Sequence, residues 1–125
     1  MGVLIVDNST AVRQRLLELV SASNGVGRVW QAASAAAALE LARAELVDVA
    51  VVDLWLGADS GLELIRQLRA EQAQMVIIVL TNSSTDAHRH ECLRRGAHFF
   101  FDKSHDFERA VAVAARVAAA PRASV

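Results

Sequence analysis

The stretch MVIIVL, residues 75–80, is apolar at both odd and even positions. It is too short for a helix of ordinary length, and a strand with apolar side chains on both faces must be covered on both. VDVAVVD (47–53) and VLIV (3–6) behave in nearly the same way. A chain with three such strands needs helices to cover them. The remaining segments supply these. Residues 11–20 carry Val12, Leu16 and Val20 at helical spacing, and Ser34 can cap a helix over 35–45. Ser60 and Glu63 have capping-box spacing and open a helix to about residue 71. A polar helix is expected over 86–95, stopped by Gly96, and a last one over 105–119 with its stripe at Phe107, Val111, Ala114 and Ala118. Two weaker strands, 26–32 after the NGVG turn and 97–101, complete the pattern.

Strand and helix thus alternate five times, which predicts an α/β fold, a doubly wound parallel sheet. The less apolar second and fifth strands belong at its edges. The expected order is 2-1-3-4-5, a flavodoxin-like arrangement with its topological switch between the first and third strands. Uniform composition over 125 residues predicts one domain, over 1–120, with 121–125 as a short tail. The hydrophobic fraction of 54% reflects 24 alanines rather than a membrane segment, because no apolar run approaches the ~18 residues of a span. Net charge is −1 without a Lys/Arg block, which argues against direct nucleic-acid binding. The single cysteine, Cys92, excludes an internal disulfide and fits a reducing cytoplasm.

Ligands of such sheets sit at the carboxyl ends of the strands beside the switch point. The first strand ends in Asp7–Asn8, the third in Asp53, the fourth in Thr81–Asn82, and the fifth near Lys103. Two carboxylates, an amide, a hydroxyl and an ammonium therefore converge on one rim. This set suits phosphoryl transfer to a carboxylate. Asp53 would be the nucleophile, a divalent cation such as Mg²⁺ would neutralise incoming oxygens, and Thr81 and Lys103 would hold the rest. An Asp after a strand is commonly a mere cap or turn residue; the conjunction makes the stronger reading.

On these residues the chain resembles the receiver domains of two-component response regulators. LIVDNS resembles the family's first strand with its acidic pair, and VAVVDLWLGADSGLEL the segment around the phospho-accepting Asp. IIVLTNSS and RRGAHFFFDKS resemble the strand ending in a hydroxyl residue and the Gly-Ala, aromatic and Lys segment. The resemblance implies phosphorylation of Asp53 by a histidine kinase or histidine phosphotransfer protein. It implies Mg²⁺ held by the Asp7–Asn8 region, Asp53 and the backbone carbonyl of Trp55. It also implies a switch in which Thr81 turns to the phosphoryl group and Phe100 rotates inward. A stand-alone, chemotaxis-regulator-like regulator is expected, signalling to a protein effector as a monomer or weak dimer. It would not be a conventional enzyme, though self-dephosphorylation is compatible with the site. The rival reading is a receiver-like scaffold that binds partners without phosphorylation.

Three positions depart from the family pattern. Asn8 stands where the metal-ligating acid is usual. It can offer a carbonyl oxygen but no charge, so weak Mg²⁺ binding is expected. Gly57 replaces a common proline and is expected to loosen its loop. Ser104 replaces the proline after the lysine, so a trans Lys103–Ser104 bond is expected, with Lys103 slightly displaced. Trp55 is read either as a shield over the acyl phosphate or as a packing residue. His88, His90, His98 and His105 read as surface or loop residues.

Overall fold

The computed structural model describes residues 2–82 and 85–120. In chain order the elements are β1 (Gly2–Val6), α1 (Thr10–Ser21), β2 (Arg28–Ala32), α2 (Ala35–Ala44), β3 (Val49–Val52), β4 (Trp55–Leu56), β5 (Asp59–Ser60), α3 (Gly61–Glu71), β6 (Val76–Thr81), α4 (Asp86–Arg94), β7 (Phe99–Asp102) and α5 (Phe107–Ala119). The main sheet is wholly parallel, in the order β2-β1-β3-β6-β7. Set against the five expected strands, this is the 2-1-3-4-5 order. The expected tail, 121–125, lies outside the described residues.

Strand parity builds two cores. Leu4, Val6, Ala50, Val52, Ile77 and Val79 face α2, α3 and α4, packing with Leu39, Leu64, Ile65, Leu68 and Cys92. Val3, Ile5, Val49, Val51, Ile78 and Leu80 face the other way, onto Leu16 and Val20 of α1 and Ala110, Val111, Ala114 and Ala118 of α5. Small alanines bring α5 close to the sheet. Four helices begin at hydroxyl caps: the side chains of Ser9, Ser34, Ser60 and Thr85 accept from the backbone N–H three residues on.

The sequence does not foretell the two-residue hairpin β4–β5. Trp55 pairs with Ser60 and Leu56 with Asp59, leaving Gly57 and Ala58 as the loop. Gly57 has φ +67° and Ala58 does not share the positive φ, the glycine-first arrangement of a type II′ turn. Gly57 therefore closes a tight hairpin where loosening was expected. A proline, fixed near −65°, has no place there.

Candidate active site

Three strand ends deliver the polar residues, and backbone hydrogen bonds continue past the strands to fix them. The Asp7 N–H donates to Ala32 O at 3.1 Å, that of Asp53 to Val6 O at 3.0 Å, and that of Lys103 to Thr81 O at 3.0 Å. Each anchor residue thus leaves the sheet in a set direction. An open cavity of about 460 Å³ lies between them, lined by Asp7, Asn8, Ser9, Val12, Asp53, Trp55, Gly57, Asn82 and Lys103.

Lys103 is the centre of this cavity's electrostatics. Its Nζ lies 2.6 Å from Asp7 Oδ2 and 2.9 Å from Asp53 Oδ2, and all three side chains are largely buried. Burial opposes the ammonium charge, but hydrogen bonds to the two carboxylates outweigh it. Lys103 is held protonated above the usual lysine value. The second oxygens are also engaged: Asp7 Oδ1 accepts the Ser9 N–H at 2.8 Å and Asp53 Oδ1 that of Trp55 at 3.3 Å. Lys103 reaches Asp53 directly, at 2.9 Å. The described residues contain no cis peptide bond, and Lys103–Ser104 is trans as expected. Asp102 steers the turn instead of a proline, its Oδ1 accepting the N–H groups of Ser104 at 2.8 Å and His105 at 3.2 Å. Nothing in the sequence singled out Asp102 for this task, although an Asp two residues before a hydroxyl is a usual turn signal.

Arg13, also unremarked in the sequence, holds the Asp7 backbone. Its Nη1 donates to the Asp7 carbonyl at 2.7 Å, its Nε to Gln31 Oε1 at 3.2 Å and its Nη2 to Thr10 Oγ1 at 3.3 Å. Asn8 is exposed on the rim, with its Nδ2 3.8 Å from where a Cβ on Gly57 would lie. Gly61 has a different duty. A Cβ there would stand 2.4 Å from Asp53 O and 2.5 Å from Leu54 Cα, so α3 can begin this close to the Asp53 backbone only with glycine.

Thr81 does not line the cavity; it is fully buried beneath the rim, and Asn82 takes the surface position. Phe100 is turned inward and only 5% exposed, with the Arg89 guanidinium carbon 5.2 Å from its ring centroid. Its neighbours Phe99 and Phe101 stack on the other face of β7 at 5.9 Å. Trp55 is 56% exposed and meets His88 of α4 edge-on, ring centroids 6.2 Å apart. Of the residues expected at the site, Asp7, Asn8, Asp53, Trp55 and Lys103 share one cavity, while Thr81 and Phe100 lie below it.

The donor chemistry fits a hard divalent cation: two carboxylates and the amide oxygens of Asn8 and Asn82, with no sulfur or imidazole among the cavity's residues. Charge is the poor part of the fit. Only two anionic ligands are present, and Lys103 engages both.

Residues 3–115 match the family model described as the response regulator receiver domain. The transcriptional regulatory protein FixJ of Azorhizobium caulinodans is 34% identical over 106 residues, covering 85% of this chain and 49% of that protein. The DNA-binding transcriptional activator DevR/DosR of Mycobacterium tuberculosis is 32% identical over 95 residues, covering 76% of this chain and 44% of that protein. The chain spans about half the length of these curated relatives. Among solved structures, a response regulator of Burkholderia pseudomallei, containing a phosphorylated aspartic acid, a calcium ion and citrate, superposes with a TM-score of 0.83. It is 32% identical, and the match covers 90% of this chain and 65% of that one. The chemotaxis protein CheY4 of Vibrio cholerae shares the fold at a TM-score of 0.81 and 24% identity, covering 93% and 97% of the two chains.

Proposed function

The chain belongs to the response regulator receiver domain family, and we propose that Asp53 is its phospho-acceptor, served by Lys103, Thr81 and a Mg²⁺ site at Asp7, Asn8, Asp53 and the Trp55 carbonyl. Response regulators of the family are phosphorylated on an aspartate, and receiver domains generally bind Mg²⁺ and interact with histidine kinases or phosphotransfer proteins. The observation that carries the assignment is the Lys103 ammonium 2.9 Å from Asp53 inside a cavity shared with Asp7. An ammonium so placed can pass from the carboxylate to an oxygen of an incoming phosphoryl group. Asp53 supplies the attacking oxygen, and the phosphorus–nitrogen bond of a phosphohistidine donor breaks as the acyl phosphate forms.

Mg²⁺ supplies positive charge to the phosphoryl oxygens when bound. Asp7 and Asp53 would hold it, with Asn8 contributing a neutral oxygen, so its affinity is expected to be low. The phosphoryl group would draw the Thr81 hydroxyl upward, and Phe100, already packed inward below it, would secure the resulting arrangement. The readout would be a protein contact rather than direct nucleic-acid contact by this domain, in a monomer or weak dimer. No helix among the described residues is long and apolar enough to cross a membrane, and a cytoplasmic setting agrees with a phosphorelay. The domain proposed spans 1–120.

Incubation with a small acyl-phosphate donor and Mg²⁺, followed by intact-mass measurement, tests the reading. One phosphoryl adduct is expected, and it should be lost in Asp53→Ala. No adduct at any Mg²⁺ concentration would leave the alternative, a scaffold that acts by protein binding alone, which Asn8 favours.

A further inference from the structure

The hairpin β4–β5 touches the N-termini of two helices. Ser60 Oγ accepts the Glu63 N–H at 3.3 Å and caps α3. Asp59 reaches the other way: its Oδ2 accepts the Ala35 N–H, in the first turn of α2, at 3.0 Å. Strand pairing explains the split. Residues directly opposite in an antiparallel pair share a face, so Asp59 lies with Leu56 and Ser60 with Trp55. Leu56 is buried in the core that α2 and α3 cover, and Ala35 packs against the same cluster. Asp59 is thereby directed at α2. Trp55, on the opposite face, meets His88 and lines the cavity.

We infer that Asp59 is a positioning residue for the phospho-acceptor site: its carboxylate, anchored on the N-terminus of α2, holds the hairpin so that Trp55 stays against Asp53. This rests on the phospho-acceptor reading above. The path is short. The Trp55 N–H donates to Asp53 Oδ1 at 3.3 Å, and the carbonyl of the same residue is the proposed backbone ligand of Mg²⁺. Trp55 pairs in turn with Ser60, the neighbour of Asp59. A ladder only two residues deep has little stability of its own, so its place depends on what it is tied to. A carboxylate at a helix N-terminus makes a good tie, favoured by a charge-assisted hydrogen bond and by the helix dipole. The helix does not need Asp59 to begin. Ser34 already caps it, Oγ accepting the Ala37 N–H at 3.2 Å. The Asp59 bond therefore fixes the hairpin to α2 rather than starting α2. Without it the hairpin can swing, the long Trp55–Asp53 bond opens, and the Trp55 carbonyl leaves its place at the metal site.

Two-dimensional amide spectra of the isotope-labelled protein, recorded without metal and then titrated with Mg²⁺, test this in the parent, Asp59→Ala, Asp59→Asn and Ser34→Ala. Ser34→Ala is the control, because it weakens the same helix end without touching the hairpin. In Asp59→Ala the Trp55 amide proton should move upfield and exchange with solvent on the order of tenfold faster, as its bond to Asp53 lengthens. The half-saturating Mg²⁺ concentration should rise on the order of threefold, part of the lost bond being felt at the metal. Asp59→Asn keeps an acceptor and should recover most of both effects. Ser34→Ala should lower the urea midpoint, yet leave the Trp55 amide and the Mg²⁺ response at parental values. Three results would each overturn the inference: a Trp55 amide in Asp59→Ala that matches the parent, a Mg²⁺ response unchanged in that variant, or an equal disturbance of Trp55 in Ser34→Ala, which would make helix stability the cause. An Asp53 adduct by mass together with any of these would reject the role of Asp59 and leave the phospho-acceptor reading standing. Absence of an adduct in the parent would reject that reading, and the metal-free Trp55 amide would still decide whether Asp59 holds the hairpin.

Discussion

Lys103 and Asp7 form the shortest contact of the cavity at the carboxyl ends of the strands, Nζ to Oδ2 at 2.6 Å, although 95 residues of chain lie between them. The pair ties the end of β7 to the end of β1 across two intervening strands, and Asp53 of the central strand lies within reach of the same ammonium at 2.9 Å. The Lys103 ammonium thus fastens the carboxyl edge of the sheet.

The alkaline limb of stability should reveal that fastening. Lys103 has a folded value above its ordinary one because its charge is held by two carboxylates, despite burial. A raised value means that the contribution is fully present below the unfolded lysine value of about 10.4 and is lost as pH climbs through the higher folded value. Urea denaturation from pH 9 to 12 should show a decline that Lys103→Met lacks. At neutral pH that variant, with two buried carboxylates left facing each other, should be less stable by about 3 kcal/mol. A variant as stable as the parent at pH 7 contradicts this.

His98 should act at the other end of the pH scale. Its Nδ1 accepts the Ile77 N–H at 3.2 Å while the His98 backbone N–H donates to Ile77 O at 2.8 Å, so the residue extends the ladder between β6 and β7. Partial desolvation of the ring, and the charge of Arg69 beside it, hold the imidazole below its ordinary value. With the folded value depressed, the favourable neutral form is fully present above the unfolded value and is lost as pH falls through the folded one. Denaturant melts at pH 7.5 and 5 should differ less for His98→Gln than for the parent; equal differences would refute the assignment.

Gly61→Ala should be costly out of proportion to one methyl group. The added carbon meets backbone, not the flexible end of a side chain, so the start of α3 must retreat from Asp53. A loss of about 2–3 kcal/mol is expected, as for overpacking in a filled core. Because Asp53 moves with that backbone, the rate of phosphorylation should fall as well. Thermal melts and adduct formation measure the two, and a variant unchanged in both would show that α3 adapts without moving the site.

Trp55→Asn should shorten the life of the acyl phosphate severalfold. The indole lines the cavity and leans edge-on against His88, so it covers one approach for water. Phosphoryl lifetime by mass or by Phos-tag separation decides this, and a longer-lived adduct in the variant would favour the packing role alone.

Much of the fold was legible because apolar runs and helical spacing are local signals. Val3–Val6, residues 47–53 and residues 75–80 lie where their patterns place strands, and the stripe of Val111, Ala114 and Ala118 is buried as its spacing requires. The hairpin β4–β5 escaped because two-residue strands are too short to show a period, and only the left-handed Gly57 marks it. At the site, residue types at strand ends brought Asp7, Asn8, Asp53 and Lys103 together. What sequence could not give is which carboxylate Lys103 prefers, or that Arg13 turns back to Asp7. Both are contacts between side chains whose rotamers the tertiary structure selects. His98 read as a surface residue and is one by exposure, yet a ring nitrogen joins the sheet's ladder, which no local pattern encodes.

Only one side chain of α4, Cys92, is fully inside the protein, where burial pushes its thiol up to about 11. The rest of the helix is charged or half-wet, and its main local support is the Glu91 carboxylate shared by Arg94 and Arg95. A nine-residue helix moored at one interior point should undergo sub-global opening at far lower free energy than α3, which has four buried residues. Amide hydrogen exchange should therefore be fastest, among the helices, in α4. The segment that carries Arg89 and His88, and so touches both Phe100 and Trp55, would be the one whose ensemble a binding partner can reshape most cheaply.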